Sequence, residues 1–414
     1  MNIWLIYPYG SLPGEGSRPE RPQMIADALT KAGHDVTWWC SVFDHRLKTF
    51  RSHTWKHIEV SPRFTIRLVP TTGYEKNISL KRIRSEEEFG RQLYAHARQF
   101  PAPDVIIVSE PALFTCKPIL RIVGETKASL ILDRLDLWPE MFHMALPRPL
   151  EKLGRALFAP LYSRRRDLFQ KAHAIVAASD FYLELARKLA PKLPPENTAT
   201  VYFGVDVAEL RAGMSTPAQL PFPLQGLHKR DNEVWALYAS TLGSNYDLAT
   251  VLQAAALLER KNAHTRILIA GAGPLKDYVV SFIKDNGLTR THYVGNLDAN
   301  TMSYIFSLCD VGLSSYLKSS RVSMPIKAFH YFAAGLPIVN SLPGDLAKLL
   351  ETHDAGLQYE AENAQSLADT LQVMVSDPDR RQMMARNSFN LGNAFDSEIQ
   401  YAKVVDLVER VRSN

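Results

Sequence analysis

Short apolar runs alternate with longer stretches of helical spacing through most of the chain. Ile3 to Tyr7, Asp35 to Cys40, Asp104 to Ser109, Ser129 to Asp133, Ala174 to Ala178 and Thr198 to Phe203 read as strands. Gln23 to Ala32 has helical spacing and stops at Gly33, a suitable helix C-cap. Strand, helix, strand at this cadence implies βαβ units and a parallel sheet. The strands are continuous apolar runs, as strands buried on both faces must be. Lys188 to Pro195 is rich in Pro and Lys, and Pro217 to Asp231 is irregular. The pattern then restarts. Val234 to Ala239, Arg266 to Ala270, Thr291 to Val294, Val311 to Leu313 and Pro337 to Asn340 read as strands. Asp247 to Leu258, Pro274 to Asn286, Asn300 to Cys309 and Lys327 to Ala334 read as helices. The fold class is therefore α/β, with two doubly wound halves joined near residues 205–230. Residues 44–95 are basic and aromatic, show no clean period, and read as a long insertion carrying a hairpin or helices.

The chain has 414 residues, 48 Lys and Arg against 43 Asp and Glu, a length that suits two domains. A formal charge of +5 without a clustered motif does not predict nucleic-acid binding. Cys40, Cys116 and Cys309 have no C-x-x-C spacing and read as buried thiols in a reducing compartment. The N-terminus lacks the pattern of a signal peptide, and no apolar stretch is long enough for a membrane span. A cytoplasmic protein is expected.

Ligands of doubly wound sheets sit beyond the carboxyl ends of the strands, which selects certain loops. Gly10 to Arg18 follows the first strand, and its glycines Gly10, Gly14 and Gly16 permit close approach of a backbone to a ligand. Arg18 and Arg21 can add charge-assisted bonds there. Gly271-Ala272-Gly273-Pro274 lines a nucleotide through backbone atoms or simply makes a tight turn. Ser240, Thr241, Gly243 and Asn245 suit a phosphate contact; Asn245 or Asp247 can equally be a helix N-cap. Pro325 suits a first helical turn, where free N–H groups with Ser323 and Lys327 form a diphosphate cradle; His330 lies on roughly the same face. Asp133 to Glu140 ends a strand with carboxylates and an arginine; Asp136 is the cleft candidate, while Asp133 and Arg134 can also pair with each other. Pro147 to Lys171 interleaves basic residues with leucines, either a membrane-binding helix or a solvated face over a core.

In order and spacing these segments resemble a glycosyltransferase of the family 4 type, with the GT-B fold, and within it bacterial enzymes that build surface polysaccharides. The resemblance rests on Pro13-Gly14-Glu15-Gly16, Ala32-Gly33-His34-Asp35-Val36, Asp133 to Glu140, Phe203-Gly204-Val205-Asp206, Gly271 to Pro274, Val294-Gly295 and Ala333 to Val339. It implies two Rossmann-like domains facing a central cleft. Residues 1–205 would bind acceptor and 206–385 the nucleotide sugar, and 386–414 would be a helical segment packing back toward the first domain. It implies transfer of a sugar with retained anomeric configuration, with no metal and no cofactor beyond the nucleotide-diphosphate-sugar donor. Asp136, Gly14 and Glu15 would be catalytic. Ser240, Thr241, Gly243, Asn245, Gly271, Gly273, Ser323, Lys327 and His330 would bind donor. Arg18, Glu110 and Arg134 would bind acceptor, a glycan or polyprenyl-linked glycan. Residues 148–171 would touch an anionic membrane surface at the inner face. Where the family carries two glutamates eight positions apart, this chain has Val322 and His330; the family's Arg and Lys in the first loop of the second domain are matched by Thr241 and roughly Asn245. These departures support a second reading, a catalytically silent GT-B protein that binds glycan or partners an active glycosyltransferase.

Overall fold

The computed structural model describes residues 1–412 except 16–18, 141, 143–150, 216–219, 221, 223, 227, 245 and 262, and it does not describe the side chains of 151 and 152. The chain divides into two compact units. The first comprises Met1–Tyr202 with Gln400–Asn414, the second Phe203–Ile399. The stretch 386–414, expected as one terminal segment, is thus divided between them.

In the first unit the strands are β1 (Asn2–Ile6), β2 (Asp35–Ser41), β3 (Phe43–Asp44), β4 (Thr49–Phe50), β5 (Lys56–Ser61), β6 (Phe64–Val69), β7 (Val105–Glu110), β8 (Ser129–Arg134), β9 (Ala174–Ala177) and β10 (Thr198–Thr200). Eight of them form one sheet in the order β10-β9-β8-β7-β1-β2-β6-β5, parallel throughout except that β5 runs antiparallel to β6. The 44–95 region is therefore not a simple insertion. Phe64, Ile66 and Leu68 alternate with Thr65 and Arg67, a half-buried strand of period two that extends the sheet beside β2. β3 and β4 form the hairpin, and a helix Leu80–Ala97 follows, capped by the Ser79 hydroxyl accepting from Arg82 N. The strand expected at Thr198 to Phe203 stops at Thr200.

Both faces of this sheet are covered. One face packs Ile3, Leu5, Trp38 and Ile107 against Ile25, Leu29 and the last helix, Ser397–Arg412, through Tyr401, Val404, Leu407 and Val408. The other packs Trp4, Trp39, Ile106 and Leu130 against Phe89, Ile119 and Leu168.

Among the described residues the second unit has six parallel strands, β11 (Val234–Ala239), β12 (Thr265–Ala270), β13 (Thr291–Gly295), β14 (Val311–Ser314), β15 (Ile338–Asn340) and β16 (Gly356–Gln358), in the order β13-β12-β11-β14-β15-β16. The helix Leu248–Arg260 packs on this sheet through Val251, Leu252 and Ala255, as its apolar spacing requires. Cys40, Cys116 and Cys309 are buried free thiols. Among the described residues no helix is long and apolar enough to cross a membrane.

Candidate functional site

Strand order reverses between β11 and β14 in the second unit, and the loops at such a reversal are where an open parallel sheet binds its ligand. The β11 loop begins at Ser240 and the β12 loop at Gly271. They are laced together, Ser240 N to Ala270 O and Leu242 N to Ala272 O at 3.1 and 2.9 Å. A Cβ on Gly271 would lie 1.9 Å from the Ser240 carbonyl oxygen, and one on Gly273 would lie 2.3 Å from that of Leu242. Both glycines have positive φ. Backbone-to-backbone packing of the two loops is thus reason enough for both glycines. Ser240 and Gly243 are partly exposed and Thr241 is exposed. Asn245 lies outside the described residues. Asp247 is the N-cap, its Oδ1 accepting from Thr250 N at 3.1 Å.

Lys327 lies in the first turn of the helix Ile326–Ala334, with Pro325 at the N-cap and no acidic residue in that turn. The residue is partly exposed along its length, but its Nζ is buried and has no hydrogen-bond partner among the described residues. Three tyrosine rings surround it instead, with centres 4.4, 4.9 and 5.1 Å from Nζ for Tyr238, Tyr316 and Tyr246. Tyr238 comes from β11, and Tyr316 lies two residues beyond β14, so the ammonium sits at the strand reversal itself. Ring faces compensate an ammonium only in part. Burial accordingly pulls Lys327 down to about 7.

Ser323 Oγ is likewise buried and unpartnered among the described residues. His330 Nδ1 is 3.2 Å from the Ile326 carbonyl and its ring stacks on Phe306. The sequence flagged Lys327 through its place after Pro325. The tyrosines that cage it come from β11 itself and from the segments that follow β11 and β14, and were missed.

In the first unit the order reverses between β1 and β7. The loop after β1 holds Gly14 at φ +86°, with open space where a Cβ would project. Arg18 lies outside the described residues. The Glu15 carboxylate is fully engaged: Arg51 Nε and Nη2 donate to it at 2.7 and 2.9 Å, and Leu12 N at 2.8 Å. Burial opposes its ionisation, but Arg51 and the Leu12 amide outweigh that and hold it below the usual carboxylate range. As placed here, Glu15 ties the glycine loop to the β3–β4 hairpin rather than offering a free carboxylate.

Arg21 does not reach toward a ligand. It is buried in a two-pronged pair with Asp133, Nε to Oδ2 at 2.8 Å and Nη2 to Oδ1 at 2.7 Å, and its Nη1 donates to the Val201 carbonyl at 2.6 Å. The partner of Asp133 is thus Arg21 and not Arg134.

Glu110 and Arg134 face each other across β7 and β8, Arg134 Nε 3.8 Å from Glu110 Oε2. Both are essentially inaccessible, so as described they lie under the site instead of lining it. Neither Glu110 oxygen, nor Arg134 Nε or Nη1, has a hydrogen-bond partner among the described residues. Burial pushes Glu110 up to about 7 against the pull of Arg134 and Arg165. Above them Asp136 is partly exposed, accepts from Leu137 N at 2.8 Å, and is raised by burial.

Around this loop stand residues the sequence reading missed. The Arg82 guanidinium lies 4.4 Å from the Trp138 ring centre and donates to Glu86 at 2.9 Å. Tyr9 OH donates to the same carboxylate. His45 Nδ1 is 2.5 Å from Tyr74 OH, and burial with Arg82 and Lys48 pulls His45 down to about 4. The signal was present as the basic and aromatic bias of 44–95.

The basic stretch from Pro147 is less of a surface than its composition suggested. Arg165 is buried, Nη1 donating to Glu140 and to the Trp138 carbonyl at 2.6 and 2.7 Å. Leu168 and Phe169 are core. Leu153, Leu157, Arg155 and Arg166 are exposed; residues 147–150 lie outside the described ones.

Residues 224–391 match the family described as Glycosyl transferases group 1. An uncharacterized glycosyltransferase of Methanocaldococcus jannaschii is 23% identical over 197 residues, 47% of this chain and 49% of that protein. The chain thus spans about half the length of that relative. Chitobiosyldiphosphodolichol beta-mannosyltransferase of Eremothecium gossypii is 23% identical over 350 residues, 79% of this chain and 71% of that protein. The solved structure of Anabaena HepE in complex with UDP and glucose superposes with a TM-score of 0.65 at 14% identity, covering 99% of this chain and 100% of that one. Two α/β units, each built on a parallel sheet, are the GT-B fold, and within the second of them residues 224–391 match the Glycosyl transferases group 1 model.

Proposed function

We propose that this protein transfers a sugar from a nucleoside-diphosphate donor to a glycan or lipid-linked acceptor in polysaccharide biosynthesis. The anomeric configuration is retained and no metal takes part. One observation supports the donor side most directly: a buried ammonium without an anionic partner among the described residues, at the strand reversal of the second unit. A diphosphate would supply the missing charge, together with the free N–H groups of the helix starting at Ile326 and the Ser323 hydroxyl. Charge that develops on the leaving phosphate would meet donors already in place. Asp136 would then face the acceptor, with Arg82 and Trp138 beside it. The setting is the cytoplasmic face of a membrane, which Leu153, Leu157, Arg155 and Arg166 of the 148–171 stretch would touch.

Thermal unfolding in the presence of nucleoside diphosphates tests the donor site. A ligand at 100 times its dissociation constant adds about 2.7 kcal/mol, a clear rise in melting temperature. Lys327→Ala should remove most of that rise, and a nucleotide shift untouched by this substitution would displace the donor site from Lys327. Binding should also depend on pH. Because Lys327 lies near 7 when empty, the protein must take up a proton to bind an anion at higher pH. Affinity should fall as pH rises above 7, approaching about tenfold per unit, and the fall should be absent in Lys327→Ala. His330, standing where the resemblance expects a glutamate, favours the second reading of binding without turnover. A donor screen with product detection separates the two.

A further inference from the structure

Leu47, Ile78 and Leu80 are 61, 78 and 74% exposed, among the most exposed large aliphatic side chains of the first unit. They are far apart in sequence groups but not in space. Lys48 Nζ donates to the Asn77 side-chain oxygen, joining the tip of the β3–β4 hairpin to the segment that leads into the helix Leu80–Ala97. Neither presentation is loose. Asp44 Oδ1 accepts from the amides of Arg46 and Leu47 at 2.7 and 2.9 Å, and Lys48 turns the hairpin with φ +59°. On the other side Ser79 caps the helix, placing Ile78 just before it and Leu80 at its first position.

The charge around these aliphatics is predominantly positive. Residues 45–51 and 76–84 contain Arg46, Lys48, Arg51, Lys76, Lys81, Arg82 and Arg84, and no Asp or Glu. Arg46, Lys76, Lys81 and Arg84 are exposed. Arg51 and Arg82 are occupied inward, by Glu15 and Glu86. The neighbouring acid Glu75 sits 3.8 Å from Lys81, and both are largely exposed, so that pair holds little. Exposed cations close in sequence to protruding aliphatics fit an interface with a bilayer: the aliphatic chains enter the boundary region and the cations meet lipid phosphates. A folded protein partner would need complementary acids and a matching concavity; a bilayer needs neither.

We infer that this corner of the first unit, Leu47, Ile78 and Leu80 with Arg46, Lys76, Lys81 and Arg84, docks the protein on an anionic lipid surface. None of these seven residues belongs to the 148–171 stretch, and none belongs to the proposed donor site.

Flotation of the whole chain with vesicles tests it. Wild-type protein should float with phosphatidylglycerol–phosphatidylcholine vesicles about tenfold better than with phosphatidylcholine alone, and lose this advantage in high salt. The triple variant Leu47→Ser, Ile78→Ser, Leu80→Ser should lose about tenfold in bound fraction. Lys76→Glu with Lys81→Glu should do the same on anionic vesicles only. All five side chains are at the surface, so melting temperature and any nucleotide-induced shift should stay as in the wild type. Wild-type protein that ignores anionic vesicles would overturn the inference. So would a well-folded triple variant that floats like wild type, or wild-type self-association in light scattering that the triple variant abolishes.

Discussion

Lys327→Met is expected to make the protein more stable while destroying its response to nucleotide. The side chain is shortened by only one heavy atom, and the tyrosine cage keeps most of its filling. What disappears is a charge that the folded protein disfavours. In the unfolded chain a lysine holds its proton to about 10.4, whereas burial among Tyr238, Tyr246 and Tyr316 pulls Lys327 to about 7. Between those values the unfolded chain binds more protons than the native one. Wild-type stability should therefore rise with pH across that window, by about 1.4 kcal/mol per unit at most. Lys327→Met should show no such rise. Its advantage should be largest at and below neutrality, several kcal/mol, and should shrink toward zero near pH 10. Melting curves at pH 7, 8.5 and 10 check this. A variant less stable than wild type at pH 7 would mean that the ammonium has a partner in the folded protein. The same variant should bind nucleoside diphosphates at least about tenfold more weakly, since it loses a buried charge-assisted contact. Together the two results would mark Lys327 as a group costly in the empty protein and valuable in the occupied one, as binding sites often are.

Asp133→Asn should be among the most damaging single substitutions in the first unit. It keeps the shape of the side chain but leaves the Arg21 guanidinium charged, buried and short of its counter-charge. Breaking such a pair from one side typically costs about 3–5 kcal/mol. For a unit of about 200 residues, the size of the first unit, that is a fall of about 10 °C in its melting temperature. Replacing both partners, Arg21→Met with Asp133→Leu, should recover most of the loss, because no charge remains to be satisfied. The comparison is informative in both directions. A mild effect of Asp133→Asn would show that water reaches the pair; a double variant as unstable as the single one would show that the Arg21 bond to the Val201 carbonyl matters more than the ion pair.

How far the sequence revealed this molecule depended on the range of the interaction. β1, β2, β7 and β8 in the first unit and β11 to β15 in the second were legible because strands covered on both faces must be apolar throughout. β6 was not, because alternating Phe64, Thr65, Ile66 and Arg67 lie in a segment crowded with other aromatics. β16 is three residues long and has no pattern to find. At the candidate sites, Lys327 was legible from Pro325 beside it, while its cage required knowing that Tyr238, Tyr246 and Tyr316 converge. Arg21 and Asp133 stand 112 positions apart, so nothing local could reveal their pairing, and each passed for a ligand-facing charge. Glu110 passed for a contact residue for the same reason: the sequence places it at a strand end but does not tell that the end is covered.

The second unit is threaded into the first as one continuous excursion. The chain leaves after Tyr202 and returns at Gln400, whose side-chain oxygen accepts from Tyr202 N at 3.1 Å. Val205 and Asp396 pair just inside the excursion. During synthesis, residues 203–399 can emerge and condense while the first sheet still lacks Tyr401, Val404, Leu407 and Val408 from one of its faces. The part of the chain translated earliest is thus completed later than the part translated after it, and until then an apolar flank of the β1–β2 region waits open for its cover.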